Sequence, residues 1–208
     1  MSAQAWDERY AAREFVWSAE PNRFVASELA DGPPHPGATA LDLACGEGRN
    51  AVWLAEQGWA ATGVDFSEVG LEKGRTLARA RGVEVDWRLA DVREWRPHQR
   101  FDLVLVAYLH LPEEELAPAL GAAADAVAEG GELLAVGHHV ENLEHGHGGP
   151  PDPALLWDPA RSADLLRRGS RDELAVTRAE RVLRPVETDE GERTAIDALI
   201  RAHRPSAR

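Results

Sequence analysis

Lysine is almost absent from this sequence. Lys73 is the only one in 208 residues, and the other 22 basic residues are arginine. With no Gly-Lys-Ser/Thr there is no phosphate-binding P-loop, and Lys73 is the one position that could form a Schiff base. Cysteine is equally scarce. Cys45 stands alone, which excludes an internal disulfide and a Cys-rich zinc site. Positive charge is short overall, because 36 Asp and Glu outweigh 23 Lys and Arg and leave a net charge of −13. A chain of that sign lacks the basic face that nucleic acids require, and it does not dock on anionic membranes. No run approaches the roughly 18 apolar residues of a membrane span. Residues 1–10 carry Asp7, Glu8 and Arg9 and no apolar leader core, so a cytoplasmic protein is expected.

What is present suits a folded globule. The sequence is 44% hydrophobic and 28% charged, and its length implies a single domain over residues 1–208. Residues 4–30 read as a helical cap in two pieces, broken near Ser18–Pro21, with Trp6, Tyr10, Arg13 and Trp17 on one face. Residues 31–37, DGPPHPG, form a stiff linker. A regular alternation follows: strand 39–44, helix 49–57, strand 59–64, a helix capped by Ser67 and ended by Gly82, strand 83–89, and the apolar strand 101–107. Pro112 opens a helix to Ala128 with a kink or late start at Pro118, and Gly130–Gly131 turns into strand 132–140. Residues 141–158 carry no regular pattern. A short helix over 159–168 and strands 173–185 and 193–201 close the chain, although 195–202 also fits a helix.

This order predicts an α/β, Rossmann-like, seven-stranded, mostly parallel sheet with helices on both faces and an antiparallel C-terminal strand. Ligands in such sheets bind beyond the carboxyl ends of the strands. The main candidate there is Leu41-Asp-Leu-Ala-Cys-Gly-Glu-Gly-Arg-Asn50, a strand end, a glycine turn and a helix start. Gly46 and Gly48 let the backbone turn sharply and approach a ligand. Two ligand classes fit. Gly46-x-Gly48-x-x-Ala51 matches a dinucleotide fingerprint with Asp65 at the second strand's end, which would make an NAD-dependent oxidoreductase. Asp42, however, adds a carboxylate that a diphosphate cannot use and a cationic ligand can.

LDLACGEGRN resembles motif I of the class I methyltransferases. VDFS at 64–67, LADVREW at 89–95 and FDLVLVAYLHLP at 101–112 resemble their later motifs, all in order at predicted strand ends. The CGxGRN form, the N-terminal WDERYA and FVWSAEPNRFV segments and, more loosely, GHHVENL resemble the small tellurite-resistance and thiopurine-type branch. The resemblance implies S-adenosylmethionine as cofactor. Asp42, Gly46 and Gly48 then line its site, Asp65 accepts the ribose hydroxyls, Phe66 lies against adenine, and Asp91 accepts the exocyclic amine. Ala44, Cys45, Asn50, Val92 and Ala107 fall in the same segments, and Asn50 replaces the third glycine of many members. No base neighbours Cys45, so no nucleophilic role is expected.

For an acceptor that must lose a proton, the base candidates are Tyr108 and His110 after the fourth strand and His139 after the fifth. His138, His145 and His147, with Trp6, Tyr10 and Trp17 from the cap, are candidate acceptor-facing or lid residues, and 141–158 is long enough for a lid. No helix-borne pair fixes a metal geometry, so no metal is expected. The resulting expectation is a methyltransferase of a small molecule, monomeric or homodimeric, with no nucleic-acid or membrane partner. A protein methyltransferase and a non-catalytic cofactor-binding protein are the remaining alternatives.

Overall fold

The computed structural model describes residues 2–13, 15–16, 18–189 and 191–206. The elements run α1 (Ala3–Ala11), α2 (Arg23–Glu28), β1 (Thr39–Leu43), α3 (Arg49–Glu56), β2 (Ala60–Asp65), α4 (Glu68–Arg81), β3 (Asp86–Leu89), β4 (Phe101–Ala107), α5 (Glu113–Asp125), β5 (Val127–His138), α6 (Asn142–His145), a 3-10 turn (Pro153–Leu155), α7 (Pro159–Gly169), β6 (Ala175–Thr188) and β7 (Gly191–His203). All seven strands form one sheet in the order β3-β2-β1-β4-β5-β7-β6. Strands β1 to β5 pair in parallel, β7 runs antiparallel to β5, and β6 is antiparallel to β7. The alternation of strands and helices dictates this arrangement.

Strand β4 shows why the sheet is covered on both faces. Val104 and Val106 join the core beneath α5 and α7, while Leu103 and Leu105 join the core beneath α2 and α3. A period of two sends alternate side chains to opposite layers. The helix ends follow their capping residues. Ser67 Oγ accepts from Gly70 N, Gly82 takes the left-handed conformation at φ 70°, and Asp158 accepts from Arg161 N ahead of Pro159.

Two expectations change, and the strand reading of 193–201 holds over its helical alternative. Helix α5 starts after Pro112 and runs through Pro118 without a break, but ends at Asp125, so that Val127 already belongs to β5. Gly130 and Gly131 lie inside β5, where the register against β4 shifts between Phe101 and Leu103, rather than in a turn before it. Residues 195–202 are strand, because pairing with both β5 and β6 outweighs the local helix propensity of alanine. Among the described residues no helix is long and apolar enough to cross a membrane.

Candidate functional site

The carboxyl ends of β1, β2, β4 and β5 meet at one edge of the sheet. The chain leaves β1 through Ala44 at φ 62° and crosses Gly46 at φ 57° and Gly48 at φ 76°. A left-handed alanine is unusual and marks a turn held by its surroundings. Cys45 N donates to Val64 O at 3.0 Å and Gly48 N to Cys45 O at 2.9 Å, which ties the turn to β2. Trp87 of β3 explains three glycines at once. A Cβ would come within 2.8 Å of its ring at Gly63 and 2.6 Å at Gly74, and would collide with it at Gly48. Sequence reading missed Trp87, since nothing local marks an indole that fills a gap between three distant glycines.

Two buried acids flank the turn. Asp42 is 1% exposed, and neither of its carboxylate oxygens has a hydrogen-bond partner. Burial pushes it up to about 7. The Ala51 amide leans toward it and pulls it down in part without completing a hydrogen bond, Asp65 raises it further, and the Arg49 charge lowers it a little. A carboxylate left so bare is costly unless a cation or donor reaches it. Asp65 is buried as well, and burial raises it against the pull of backbone amides. Its Oδ2 accepts from Gly46 N at 2.8 Å and its Oδ1 from Ser67 N at 2.9 Å, which leaves one lone pair on each oxygen. Phe66 follows it, half-buried at the strand end. Cys45 is buried, and burial followed by the two acids pushes its thiol up, so it stays protonated and inert.

Other residues of the expected cofactor set are already engaged. Asn50 Oδ1 accepts from Asn22 N at 2.8 Å, so it anchors the segment before α2 rather than facing a ligand. Asp91 is chelated by Arg93, whose Nε and Nη2 reach its two oxygens at 2.9 and 2.5 Å, and that pair holds the carboxyl below its usual range. Val92 is part of the core, and Ala107 packs on the opposite core.

The N-terminal cap closes over the glycine turn. Tyr10 is buried, and a Cβ at Gly46 would lie 2.8 Å from its hydroxyl. Trp6 packs against Tyr10, its ring tilted by 30° with the centroids 5.3 Å apart. The sole lysine latches this cap: Lys73 Nζ donates to Tyr10 O and Arg13 O, each at 2.5 Å, and to Glu47 at 3.0 Å. Glu47 in turn accepts from Val16 N, and Asp7 accepts from Ser67 Oγ at 2.5 Å. Trp17 lies outside the described residues.

A second cluster stands beyond β4 and β5. Tyr108 adopts φ 57° and donates from Oη to Asp197 Oδ2 at 2.9 Å, while accepting from Asn22 Nδ2 at 3.1 Å. Burial and then the Asp197 charge push its phenol up, so it stays protonated. His138 Nδ1 lies 3.2 Å from Asp197 Oδ1, and Arg184 Nε donates to Oδ2 at 2.8 Å. Asp197 is fully buried. Burial alone would raise it, but His138 and Arg184 outweigh that and hold it ionised. His110 stacks on His138 at 5.3 Å with an interplanar angle of 13°. Its Nδ1 lies 2.8 Å from the Leu155 carbonyl, which fixes the proton there and leaves Nε2 as an acceptor. Nε2 is buried and has no partner, and burial drives the ring down to about 4. Asp197 and Arg184 escaped sequence reading, although an acid within the apolar run Ala195-Ile-Asp-Ala-Leu-Ile200 is a usable signal.

The remaining histidines stand apart. His139 is buried with Nδ1 accepting from Glu141 N at 3.0 Å, so it shapes a turn. His145 and His147 are exposed and do not join the cluster. Residues 141–158 are not an open loop: Asn142 holds both polar groups of the Ile196 backbone, and Trp157, fully buried, donates to Leu109 O at 3.1 Å. Only the stretch between these pins is exposed. Among the described residues no group of three His, Cys, Asp or Glu could hold a metal ion.

Residues 40–131 match the family model described as a methyltransferase domain. A ubiquinone biosynthesis O-methyltransferase of Paramagnetospirillum magneticum is 34% identical over 82 residues, covering 38% of this chain and 33% of that one. The chain spans about half the length, or less, of the curated relatives it matches. Among solved structures, the N-methyltransferase NodS from Bradyrhizobium japonicum, bound to S-adenosyl-L-homocysteine, superposes with a TM-score of 0.72 at 17% identity over 99% of this chain and all of that one. TehB from Haemophilus influenzae has a TM-score of 0.66 at 17% identity, covering 88% of this chain and 62% of that one. In its sheet order, its four strand-end signatures and its matched methyltransferase domain over residues 40–131, the chain is similar to the class I S-adenosylmethionine-dependent methyltransferases.

Proposed function

We propose that this protein transfers a methyl group from S-adenosylmethionine to a small-molecule acceptor that carries a protic nucleophile. The observation that carries the reading is Asp42, a buried carboxylate with no hydrogen-bond partner beneath a glycine turn. A cationic, hydrogen-bond-donating ligand supports burial of that charge; a diphosphate does not, which disfavours the NAD alternative. When bound, S-adenosylmethionine supplies an electrophilic methyl group on a cationic sulfur.

Each residue then has a task. Asp42 holds the ammonium group, and the free lone pairs of Asp65 accept the ribose hydroxyls. The latched cap, with Tyr10 over Gly46, keeps water from the reacting centre. His110 Nε2 takes the acceptor's proton, and its low pKa keeps it unprotonated at neutral pH. A base so placed contributes about 10²- to 10⁴-fold. Tyr108, His138 and Asp197 orient the acceptor beside it. Asp91 joins the adenine end only if Arg93 swings away. The closed cap and the net charge of −13 favour a small acceptor over a macromolecule. Calorimetry with S-adenosylhomocysteine and with NAD tests the reading. Binding of the first alone is expected, and binding of NAD alone overturns it. Transfer of a labelled methyl group to small-molecule fractions rather than to protein in a lysate tests the acceptor class.

A further inference from the structure

Between its two pins, Asn142 and Trp157, the chain runs Gly146-His-Gly-Gly-Pro-Pro-Asp-Pro153, glycines first and prolines after. Gly148 and Gly149 take φ 85° and 90° in succession, and the backbone they carry lies on His138: a Cβ at Gly149 would come within 2.9 Å of the ring's Cγ. A side chain is excluded there, so the main chain itself covers the imidazole. Among the described residues, none hydrogen-bonds to the stretch 146–151. Order returns at Asp152. Its Oδ1 accepts from Ala154 N at 2.9 Å and its carbonyl from Leu155 N at 3.1 Å, which folds the 3-10 turn. That turn aims Leu155 O at His110 Nδ1, 2.8 Å away. Trp157 fastens the far end, its amide donating to His138 O at 2.8 Å and its indole to Leu109 O at 3.1 Å. One strap thus lies against both rings of the His110–His138 stack. The other cover of this cluster is built into the fold. Asn22 caps α2, donates to Asn50 and Tyr108, and leads into the fully buried Val25.

We infer that the strap 146–155 is a lid that positions the base: closed, its Leu155 carbonyl holds the His110 proton on Nδ1 and keeps Nε2 bare; open, it admits the acceptor and frees the ring to exchange tautomers. The inference rests on the reading of His110 as the base of methyl transfer. His110 Nε2 is buried, so an acceptor reaches it only when a cover moves. The strap is the cover with glycine hinges, a stiff proline run and few ties. A neutral imidazole carries one proton, and the partner of one nitrogen decides the state of the other. Lifting the strap removes the acceptor that selects Nδ1. In the closed state the acceptor's proton passes to Nε2, its heteroatom takes the methyl group, and the carbon–sulfur bond breaks. Reopening lets Nε2 return that proton to water. Base competence is therefore tied to closure, which also excludes water.

Two measurements on the histidines test this, and neither needs the acceptor. Nitrogen NMR of histidine-labelled protein, with His110 assigned through His110→Gln, reads the tautomer. Diethyl pyrocarbonate followed by peptide mapping reads access to each ring. In the unmutated protein His110 should be the Nδ1–H tautomer, and His110 and His138 should react at least about tenfold more slowly than the exposed His145 and His147. Gly148→Ala together with Gly149→Ala sets Cβ atoms against His138 at positive φ and lifts the strap. There His110 and His138 should react about tenfold faster or more, and His110 should become a mixture of tautomers. Asp152→Ala loosens the turn without touching the hinge. It should shift the His110 tautomer in the same direction, and it carries the test if the double variant does not fold. Affinity for S-adenosylhomocysteine should change by less than about threefold in both. An Nε2–H tautomer in the unmutated protein overturns the inference, as do unchanged reaction rates in the double variant or an unchanged tautomer in Asp152→Ala. Faster reaction with His110 still wholly Nδ1–H overturns it too, since the strap is then a cover that positions nothing. Failure of the unmutated protein to bind S-adenosylhomocysteine defeats the methyltransferase reading instead.

Discussion

The proposed cofactor side and the proposed acceptor side of this site lie at the ends of the same parallel strands, yet they are assembled differently. On the cofactor side each residue sits in the turn directly after its own strand: Gly46 and Gly48 after β1, Asp65 at the end of β2. On the acceptor side one hydrogen-bonded chain joins Asn50, Asn22, Tyr108, Asp197 and Arg184, drawn from five separate segments. A local turn depends on a few backbone angles, so it can be shared across a family. A long-range cluster depends on how the N-terminal cap and the C-terminal hairpin pack, so it can differ between members of that family.

If the two sides are separable, substitutions should divide cleanly between them. The largest effect is expected for His110→Ala, with kcat lower by about 10²- to 10³-fold and unchanged affinity for S-adenosylhomocysteine. Loss of cofactor binding in that variant would join the two sides into one. The pH profile sharpens the point. Since burial holds His110 down to about 4, kcat should stay flat through neutral pH and fall only as pH approaches 4. Asp65→Ala should weaken S-adenosylhomocysteine by at least about tenfold in calorimetry while the acceptor KM holds. A changed KM would mean that the β2 turn reaches across.

Asp42 gives a signature of opposite sign in stability. Its folded pKa lies above that of an unfolded aspartate, so its contribution is present below about pH 4 and is lost as pH rises through about 7. In the absence of cofactor, Asp42→Asn should raise Tm at pH 8 by a few degrees, corresponding to about 1–2 kcal/mol, and leave Tm at pH 4 nearly unchanged. The same variant should bind S-adenosylhomocysteine poorly. A lower Tm at pH 8 would contradict a bare buried charge. The smallest effect is expected for His145→Ala with His147→Ala. Both residues are exposed, so kcat, KM and Tm should move by no more than about 0.5 kcal/mol equivalent.

Legibility followed the same division. The boundaries of α4 and β4 could be read from Ser67, Gly82 and the run Phe101–Ala107, because capping and apolar continuity are local. The glycine turn and its acids were readable for the same reason. Asn50, Asp91 and Val92 lay in the right segments but proved to be engaged elsewhere, since their partners Asn22, Arg93 and the core are matters of packing. His139 was a plausible base by position and became a turn residue through one hydrogen bond to Glu141. Trp87, Arg184 and Asp197 carried no local pattern, and their roles arise from contacts across 13 to 89 positions.

The amino-acid sequence by itself determined the order of strands and helices, the turn at Gly46–Gly48, the acids at 42 and 65, and the scarcity of lysine that closes off phosphate-loop chemistry. These depend on backbone preference, apolar period and charge, all of which act over a few residues. Only the tertiary structure decided that the one lysine latches the cap, that Asp42 stands without a hydrogen-bond partner, that His110 keeps a bare Nε2, and that Arg184 lies over the Tyr108 ring. Those outcomes depend on which distant groups desolvate one another. Desolvation is a property of the packed molecule, and no stretch of sequence contains it.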